Sequence, residues 1–349
     1  MAAIAGYDVG GAHLKVALVD DGRVIAAREV ACPLWQGLDR LDTALDAARD
    51  LTARTSHHAV TMTGELCELF PSRHAGVIAI TDHMQAKLGA NARFFMGLKG
   101  FGDAAAARHN TASVGSANFL STVQVIARIK PHALLIDLGS TTTDIAACDT
   151  PQGLTDAERL QTGELVYTGL TRTPVASVTT RGLLAGQWQG LARDCFATMA
   201  DVRRVLGTLP DGADQADGTN VEGDAVAASL RRLSRGFGRD GELRHLAVWR
   251  AAAAHIREAQ LQSIIEGVQQ ATSRPGIDVS GGVVAAGVGA GEVAGIARRL
   301  GLACVTFGEL IGASGDLARD ATRYAPAVAV GMISAQVWEQ QTCGCRGRQ

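Results

Sequence analysis

The chain has 349 residues, 33 Lys and Arg against 35 Asp and Glu, a formal charge of −2 and 47% hydrophobic residues. That length exceeds one compact core and suits two domains, and the balanced charge excludes a basic footprint for nucleic acid or an anionic membrane surface. Scarce aromatics (4%) exclude a stacking platform for bases, whereas 41 glycines suit an α/β protein with many tight turns.

Residues 2–7 and 14–19 read as strands, and Asp20-Asp21-Gly22 turns the chain into a third over 24–30. Leu38, Leu41, Leu45 and Ala48 recur at helical spacing. Residues 58–62 return to strand, ending at Thr63-Gly64-Glu65-Leu66, and short strands and helices alternate to about residue 110. The spacing predicts a helix over 116–128, stopped by Lys130-Pro131, then strands over 134–138 and 143–148. A loop-rich region follows, with a second Thr-Gly-Glu-Leu at 162–165 and a polar, glycine-rich stretch over 210–224 that reads as a long surface loop or lid. Residues 246–272 read as one long helix burying Trp249, Ile256, Ile264 and Val268. Residues 277–291 are small and glycine-rich, and Gly281 to Gly289 reads as a close-packing strand edge bordering a ligand. A helix over 292–300, a strand over 302–307 and a final helix from Pro326 to about residue 340 complete the chain.

Seven cysteines in a chain of this length are not a disulfide framework. Cys32, Cys67, Cys148, Cys195 and Cys304 read as small core residues, and Cys343-Gly344-Cys345, lacking two further ligands nearby, as a solvated tail. No segment approaches bilayer-spanning length and Asp8 interrupts the apolar start, so a cytoplasmic protein without membrane or nucleic-acid partners is expected. Homo-oligomers are left open.

One strand–turn–strand unit occurs twice: Tyr7-Asp8-Val9-Gly10-Gly11-Ala12-His13-Leu14-Lys15 and Ile136-Asp137-Leu138-Gly139-Ser140-Thr141-Thr142-Thr143-Asp144. Each copy has an Asp, a glycine two residues on, and a polar turn; Lys15 and Asp144 each stand seven residues after their aspartate. Glycine turns present N–H groups to anions, and an adjacent Asp can hold hydrated Mg²⁺, so two facing turns would clamp a polyphosphate. Gly10, Gly11, Gly139, Ser140, Thr141, Thr142 and Thr143 are the candidate phosphate cradle, with at least one threonine expected to be sheet filler. Asp8, Asp137 and Asp144 are the candidate Mg²⁺ ligands. Lys15 is a point charge for phosphate oxygens. His13 would bond phosphate or accept a proton, or simply shape the turn. Glu65 and Glu164 stand 57 and 27 residues after their aspartates, so they are not register-matched; each is a general base, a support behind a metal ligand, or a helix-start carboxylate. Gly287 and Gly289 resemble half of a dinucleotide fingerprint without its acidic partner.

With Asp8-Val9-Gly10-Gly11 and Asp137 to Asp144, the chain resembles the superfamily of sugar kinases, Hsp70 chaperones and actin. That resemblance implies two ribonuclease-H-like (actin-like ATPase) halves with mixed sheets around a central cleft, the first over residues 1–130 and the second over 131–349, with the last helix free to pack back on the first. It also places Gly281 to Gly289 where the superfamily has its adenosine motif. More closely, Cys32-Pro33-Leu34-Trp35, Thr61 to Leu66, Ser116-Ala117-Asn118-Phe119, Thr162 to Gly169 and Phe196 to Val202 are similar to hydantoinase/oxoprolinase-like proteins of tetrahydromethanopterin-linked one-carbon metabolism. This resemblance implies a Mg²⁺-dependent transferase of methanofuran or methylofuran assembly. An aminomethylfuran-methyl diphosphate would be its electrophile, and the phenol of a tyramine- or tyrosine-type substrate would displace diphosphate. An ATP-dependent kinase or hydrolase and a non-catalytic nucleotide-binding regulator are the alternative readings.

Overall fold

Two antiparallel hairpins open the two halves of the molecule, and each grows into a sheet of the same connectivity. The computed structural model describes residues 3–53, 55–213 and 224–346, with side chains of the last helix described as far as Trp338. The strands are β1 (Ile4–Val9), β2 (His13–Asp20), β3 (Arg23–Ala31), β4 (His57–Met62), β5 (Ala92–Phe95), β6 (Phe101–Gly102), β7 (Ala133–Leu138), β8 (Thr143–Ala147), β9 (Leu165–Val166), β10 (Arg181–Leu184), β11 (Gln187–Gly190), β12 (Gly282–Ala286) and β13 (Cys304–Thr306). Asp21 and Gly22 both take left-handed backbone (φ 50° and 71°), the turn whose twist matches a two-residue hairpin, which is why β2 runs straight back as β3.

One sheet has the order β3-β2-β1-β4-β5-β6 and the other β13-β12-β7-β8-β9. The first three strands of each are antiparallel, and the fourth and fifth run parallel to the first. The fold is therefore two ribonuclease-H-like halves with mixed sheets flanking a central cleft. The internal match extends to register: Asp8 pairs with Lys15, and Asp137 with Asp144.

Strand alternation fixes which way each aspartate faces. Ala5, Tyr7 and Val9 of β1 pack outward, in a core shared with the helices Asp39–Ala47 and Arg73–Leu88. Leu134, Ile136 and Leu138 of β7 pack outward against the helices Leu246–Thr272 and Ala290–Arg299. Ile4, and Ala133 and Leu135, belong instead to a core between the sheets, filled by the helices Asn118–Ile129 and Ala325–Arg346. Asp8 and Asp137 lie on those same inner faces, one step beyond the apolar residues. Close approach of the last helix to β1 needs Gly6: a Cβ there would sit 2.1 Å from the Ala327 carbonyl oxygen.

The region read as loops after residue 148 is partly folded. It holds a helix at Asp156–Thr162, the β10–β11 hairpin, and helices at Met199–Leu206 and Ala225–Gly236, which gather Leu230, Phe237 and Trp249 into a core of their own. These helices start on short capping motifs (Thr155 with Glu158, Thr198 with Asp201) rather than on long apolar stripes. Of the predicted lid over 210–224, residues 214–223 lie outside the described residues. The Leu246–Thr272 helix matches its predicted span. The reading of Gly281 to Gly289 as a strand edge is corrected: β12 lies inside its sheet, between β13 and β7. Cys195 and Cys304 are exposed, not core residues. The last helix runs on to Arg346, through the segment read as a tail. Among the described residues no helix is long and apolar enough to cross a membrane.

Candidate functional site

Each hairpin turn is closed the same way and braced from behind. The Gly10 N–H donates to the His13 carbonyl at 3.0 Å, and the Gly139 N–H to the Thr142 carbonyl at 2.9 Å. These two glycine donors are therefore spent inside their turns. In the first turn, the Gly11 and Ala12 carbonyls accept from the N–H groups of Leu34 (3.0 Å) and Cys32 (2.8 Å). In the second, the Gly139 carbonyl accepts from Leu170 (2.8 Å), and the Ser140 carbonyl from Thr171 (3.2 Å) and Arg172 (2.9 Å). A trans peptide sets its C=O and the following N–H in opposite directions. Anchoring these carbonyls to the outer segments thus turns the N–H groups of Ala12, Ser140 and Thr141 the other way. Among the described residues those three N–H groups have no protein acceptor.

Both turns line a single cavity of about 280 Å³, whose wall includes Gly10 to His13, Lys15, Asp137, Gly139 to Thr142 and Asp144. The two units therefore converge across the cleft. Ser116, Asp156, Arg159, Tyr167 and Arg172 also line it. A smaller adjoining cavity is bounded by His13, Lys15, Asp137, Gly287 and Tyr324.

The predicted acids are not equivalent. Asp8 is fully buried behind Lys15, whose ammonium stands 3.3 Å from Asp8 Oδ2, while Asp8 Oδ1 has no partner. Asp144 is held by the Arg159 guanidinium at 2.7 Å. The Asp137 carboxylate receives no hydrogen bond from the described residues and borders both cavities. Burial, and after it the Asp144 carboxylate across the hairpin, push the Asp137 carboxyl well above the usual carboxylate range; Asp8 adds to this, and Lys15 and Arg159 oppose it. Burial works against the charge on Lys15, but Asp8, Glu29 and Asp137 outweigh it and hold the ammonium above its ordinary value. Burial lowers His13, helped by Lys15 and Arg172 against Glu29, which favours the neutral imidazole.

The three candidate acids do not gather into one cluster: no group of three metal-ligating side chains forms among the described residues. A hydrated Mg²⁺ needs only one or two carboxylates besides phosphate oxygens. The unpartnered Asp137 with Asp144 opposite it fits that requirement, and Asp8 serves Lys15 instead.

The remaining candidates separate. Thr143 is the filler: its hydroxyl is buried and donates to the Thr168 carbonyl at 2.7 Å. Glu164 is not brought to the cavity. Its carboxylate accepts from the N–H groups of Gln152 (2.8 Å) and Gly153 (2.6 Å) and from the Thr162 hydroxyl (2.9 Å), pinning a loop. Glu65 is also fully buried, and meets the cavity only through Ser116. Gly287 has φ +78°, and a Cβ there would come 2.3 Å from Asp137 Oδ1, so glycine lets β12 end against the acid. Gly289 instead packs on Leu138 and gives it an N–H bond of 2.8 Å.

Arg159 and Arg172 escaped the sequence reading. Arg159 is buried, stacks 3.6 Å above the Phe119 ring and bonds the Glu164 carbonyl as well as Asp144. Its only local signal is its place in a capped helix just before the second Thr-Gly-Glu-Leu element. Arg172 lies over the Trp35 ring at 5.6 Å, joining the segments behind the two turns.

Comparison with known proteins adds a family. The chain is 28% identical over 244 residues, 69% of its own length and 73% of the relative's, to the (4-{4-[2-(gamma-L-glutamylamino)ethyl]phenoxymethyl}furan-2-yl)methanamine synthase of Methanocaldococcus jannaschii. It is 30% identical to the Methanococcus vannielii protein of the same name, over 31% of this chain and 50% of that one. In fold it is similar to a nucleotide-free acetone carboxylase, with a TM-score of 0.52 and 12% identity over 95% of this chain and 70% of that one. Both sequence relatives are named as enzymes. The hydantoinase/oxoprolinase family model matches residues 56–314, from β4 through the second hairpin turn to the segment just after β13, and the chain belongs to that family.

Proposed function

We propose that this protein is a transferase of methanofuran- or methylofuran-type cofactor assembly. It joins an aminomethylfuran-methyl diphosphate to the phenol oxygen of a glutamyl tyramine or tyrosine. The relatives' product name contains a phenoxymethyl link between an aryl oxygen and a furan-bearing carbon. To make it, the phenol oxygen bonds to the furfuryl CH₂, the bond from that carbon to the diphosphate oxygen breaks with its electron pair, and the phenolic proton is removed. No oxidant and no ATP enter the balance. The furan ring donates density to the developing positive carbon, so the work left to the protein is to draw off the leaving group and align the phenol.

The observation that carries the reading is the convergence of two matched turns, with their N–H groups turned away from the bracing segments, on one cavity. In this scheme Ala12, Ser140 and Thr141 N–H groups and the Lys15 ammonium bind the diphosphate oxygens. The hydroxyls of Ser140, Thr141 and Thr142 add donors, and Asp137 and Asp144 hold Mg²⁺. Held there, Mg²⁺ would supply charge neutralisation for the diphosphate leaving group. His13 stands in the first turn, beside the leaving group, and Tyr167 and Leu66 at the mouth offer ring contacts for the phenol.

Purified protein given synthetic furan diphosphate, a tyramine-type phenol and Mg²⁺ should release diphosphate and ether in equal amounts, read by mass spectrometry. Absence of both rejects the reading. One observation favours ATP as the alternative ligand: a largely apolar cavity of about 590 Å³ lies along Gly287, Val288, Ala290 and Gly291. Steady ATP turnover with a small acceptor, and no ether, would establish the kinase reading.

A further inference from the structure

The phenolic proton needs an acceptor, and the polar groups beside the cavity suggest where it goes. Glu65 follows β4 in the one-turn helix Gly64–Leu66 and is fully buried. Its Oε2 has no partner, and its Oε1 lies 2.9 Å from the Ser116 hydroxyl. The same hydroxyl lies 3.2 Å from Asp156 Oδ2. Ser116 and Asp156 line the cavity.

One hydroxyl carries one hydrogen and two lone pairs, so it donates to one carboxylate only. When it donates to Glu65, its contact with Asp156 waits for a proton on Asp156; when it donates to Asp156, Glu65 must hold a proton. Arg73 forms an ion pair with Asp156 Oδ2 at 2.5 Å, which fixes that carboxylate beside the Ser116 hydroxyl. The charged groups acting on Glu65 are this Arg73, which favours its ionised form, and Asp156, which opposes it; the Ser116 bond also favours ionisation. Ser116 keeps its place with a left-handed backbone, φ +53°, which L-residues with a side chain rarely adopt. Gly115 lets Glu65 approach: a Cβ there would sit 3.1 Å from Oε1.

We propose that Asp156, Ser116 and Glu65 form a proton relay that carries the phenol's proton from the cavity to the buried Glu65 carboxylate. Asp156 Oδ2 takes the proton as the O–CH₂ bond forms, passes it to the Ser116 oxygen, and Ser116 gives its own hydrogen to Glu65 Oε1. The transfer conserves charge: one phenolic proton leaves the substrate and one carboxylate is neutralised. Glu65 is then the terminal acceptor, acting through Ser116, and Asp156 is the group that touches the phenol. This proposal rests on the ether-forming reading.

The relay is tested on the whole protein by two measurements. Carbon-13 carboxyl-labelled glutamate, followed by NMR without substrate, should show one glutamate titrating near pH 7 that is missing from Glu65→Gln. Asp156→Asn should lower that value, by removing a like charge, and Ser116→Ala should raise it. The pH profile of kcat/KM for ether formation should then fall on the acidic side at the same pH. Glu65→Gln should abolish that acidic limb and lower the rate by about 100-fold or more, and Ser116→Ala should lower the rate while leaving a Glu65 titration that has moved upward. Thermal melting of each variant separates lost folding from lost transfer. Ether formation with an unchanged acidic limb in both folded variants overturns the relay and leaves the function intact. No ether in the wild type overturns the function, and the phenol's part in the relay with it. Where ether does form, a Glu65 signal indifferent to Asp156→Asn and Ser116→Ala overturns the relay alone.

Discussion

Lys15→Met is the sharpest test of the paired-turn site, because Lys15 has two separable jobs. Asp8 is buried, and among the described residues the only polar partner of its carboxylate is the Lys15 ammonium at 3.3 Å. Deleting one member of such a pair strands a buried charge, which costs about 3–5 kcal/mol. A cap applies: a stranded carboxylate takes up a proton instead, at about 1.4 kcal/mol per pH unit above its ordinary value near 3.9, so the deficit at pH 7 stays within about 4 kcal/mol. Sign follows from the same linkage. The folded variant binds the proton more tightly than the unfolded chain, so its deficit grows as pH rises from about 4 and fades below it. Denaturant unfolding at several pH values reads this directly. The double variant Asp8→Asn/Lys15→Met removes both charges and should recover most of the stability. It should not recover turnover, since the phosphate-facing cation is still missing; a loss of about 100- to 1000-fold is expected. A stability deficit below about 1 kcal/mol, or one independent of pH, would refute the pairing argument. Recovered turnover in the double variant would refute the anion-binding role.

Three other outcomes follow from the geometry. Burial raises Glu65 from 4.5 to about 7, so the folded state holds its proton and the wild type loses stability as pH rises between those values. Relative to the wild type, Glu65→Gln should therefore gain up to about 3 kcal/mol across that window, a difference visible in paired denaturant titrations. Arg159→Met strands Asp144 and the Glu164 carbonyl and empties the space over Phe119, with an expected loss of about 3–5 kcal/mol. Arg159→Lys should restore only part of this, because an ammonium lacks the flat guanidinium that stacks on Phe119. Gly169→Ala would put a Cβ 2.4 Å from the Ser140 carbonyl carbon and the Thr141 nitrogen. The second turn must then shift; pyrophosphate binding by calorimetry should weaken about tenfold or more, while the melting temperature changes modestly.

The sequence exposed what repeats and what is periodic. The two Asp–Gly turns, their matched offsets and the 27-residue helix Leu246–Thr272 are local signals, and each is realised in the structure. Hidden parts of the site depend on tertiary contact. Spacing alone does not reveal that Glu164 pins a loop, that Asp8 is the partner of Lys15, or that Thr143 turns inward while Thr141 lines the cavity. Arg159 belongs to a short helix with no apolar stripe to announce it, and the contact of Ser116 with Glu65 and Asp156 appears only in three dimensions. The helices between residues 149 and 245 were obscured for a related reason: their starts are written in two-residue caps, and their apolar faces find partners far along the chain.

The last helix, Ala325–Arg346, has a consequence for biogenesis. It lies against the first strands of the molecule and supplies Ala327, Val328, Ala329 and Val330 to the layer that β1 and β2 bury. The N-terminal sheet thus cannot finish its inner face until residues 325–346 have left the ribosome, however early its own strands emerge. Nascent chains stalled before residue 325 should expose a sticky apolar sheet and depend on chaperone shelter, and the two halves, expressed as separate fragments, should not reassemble into independent soluble domains.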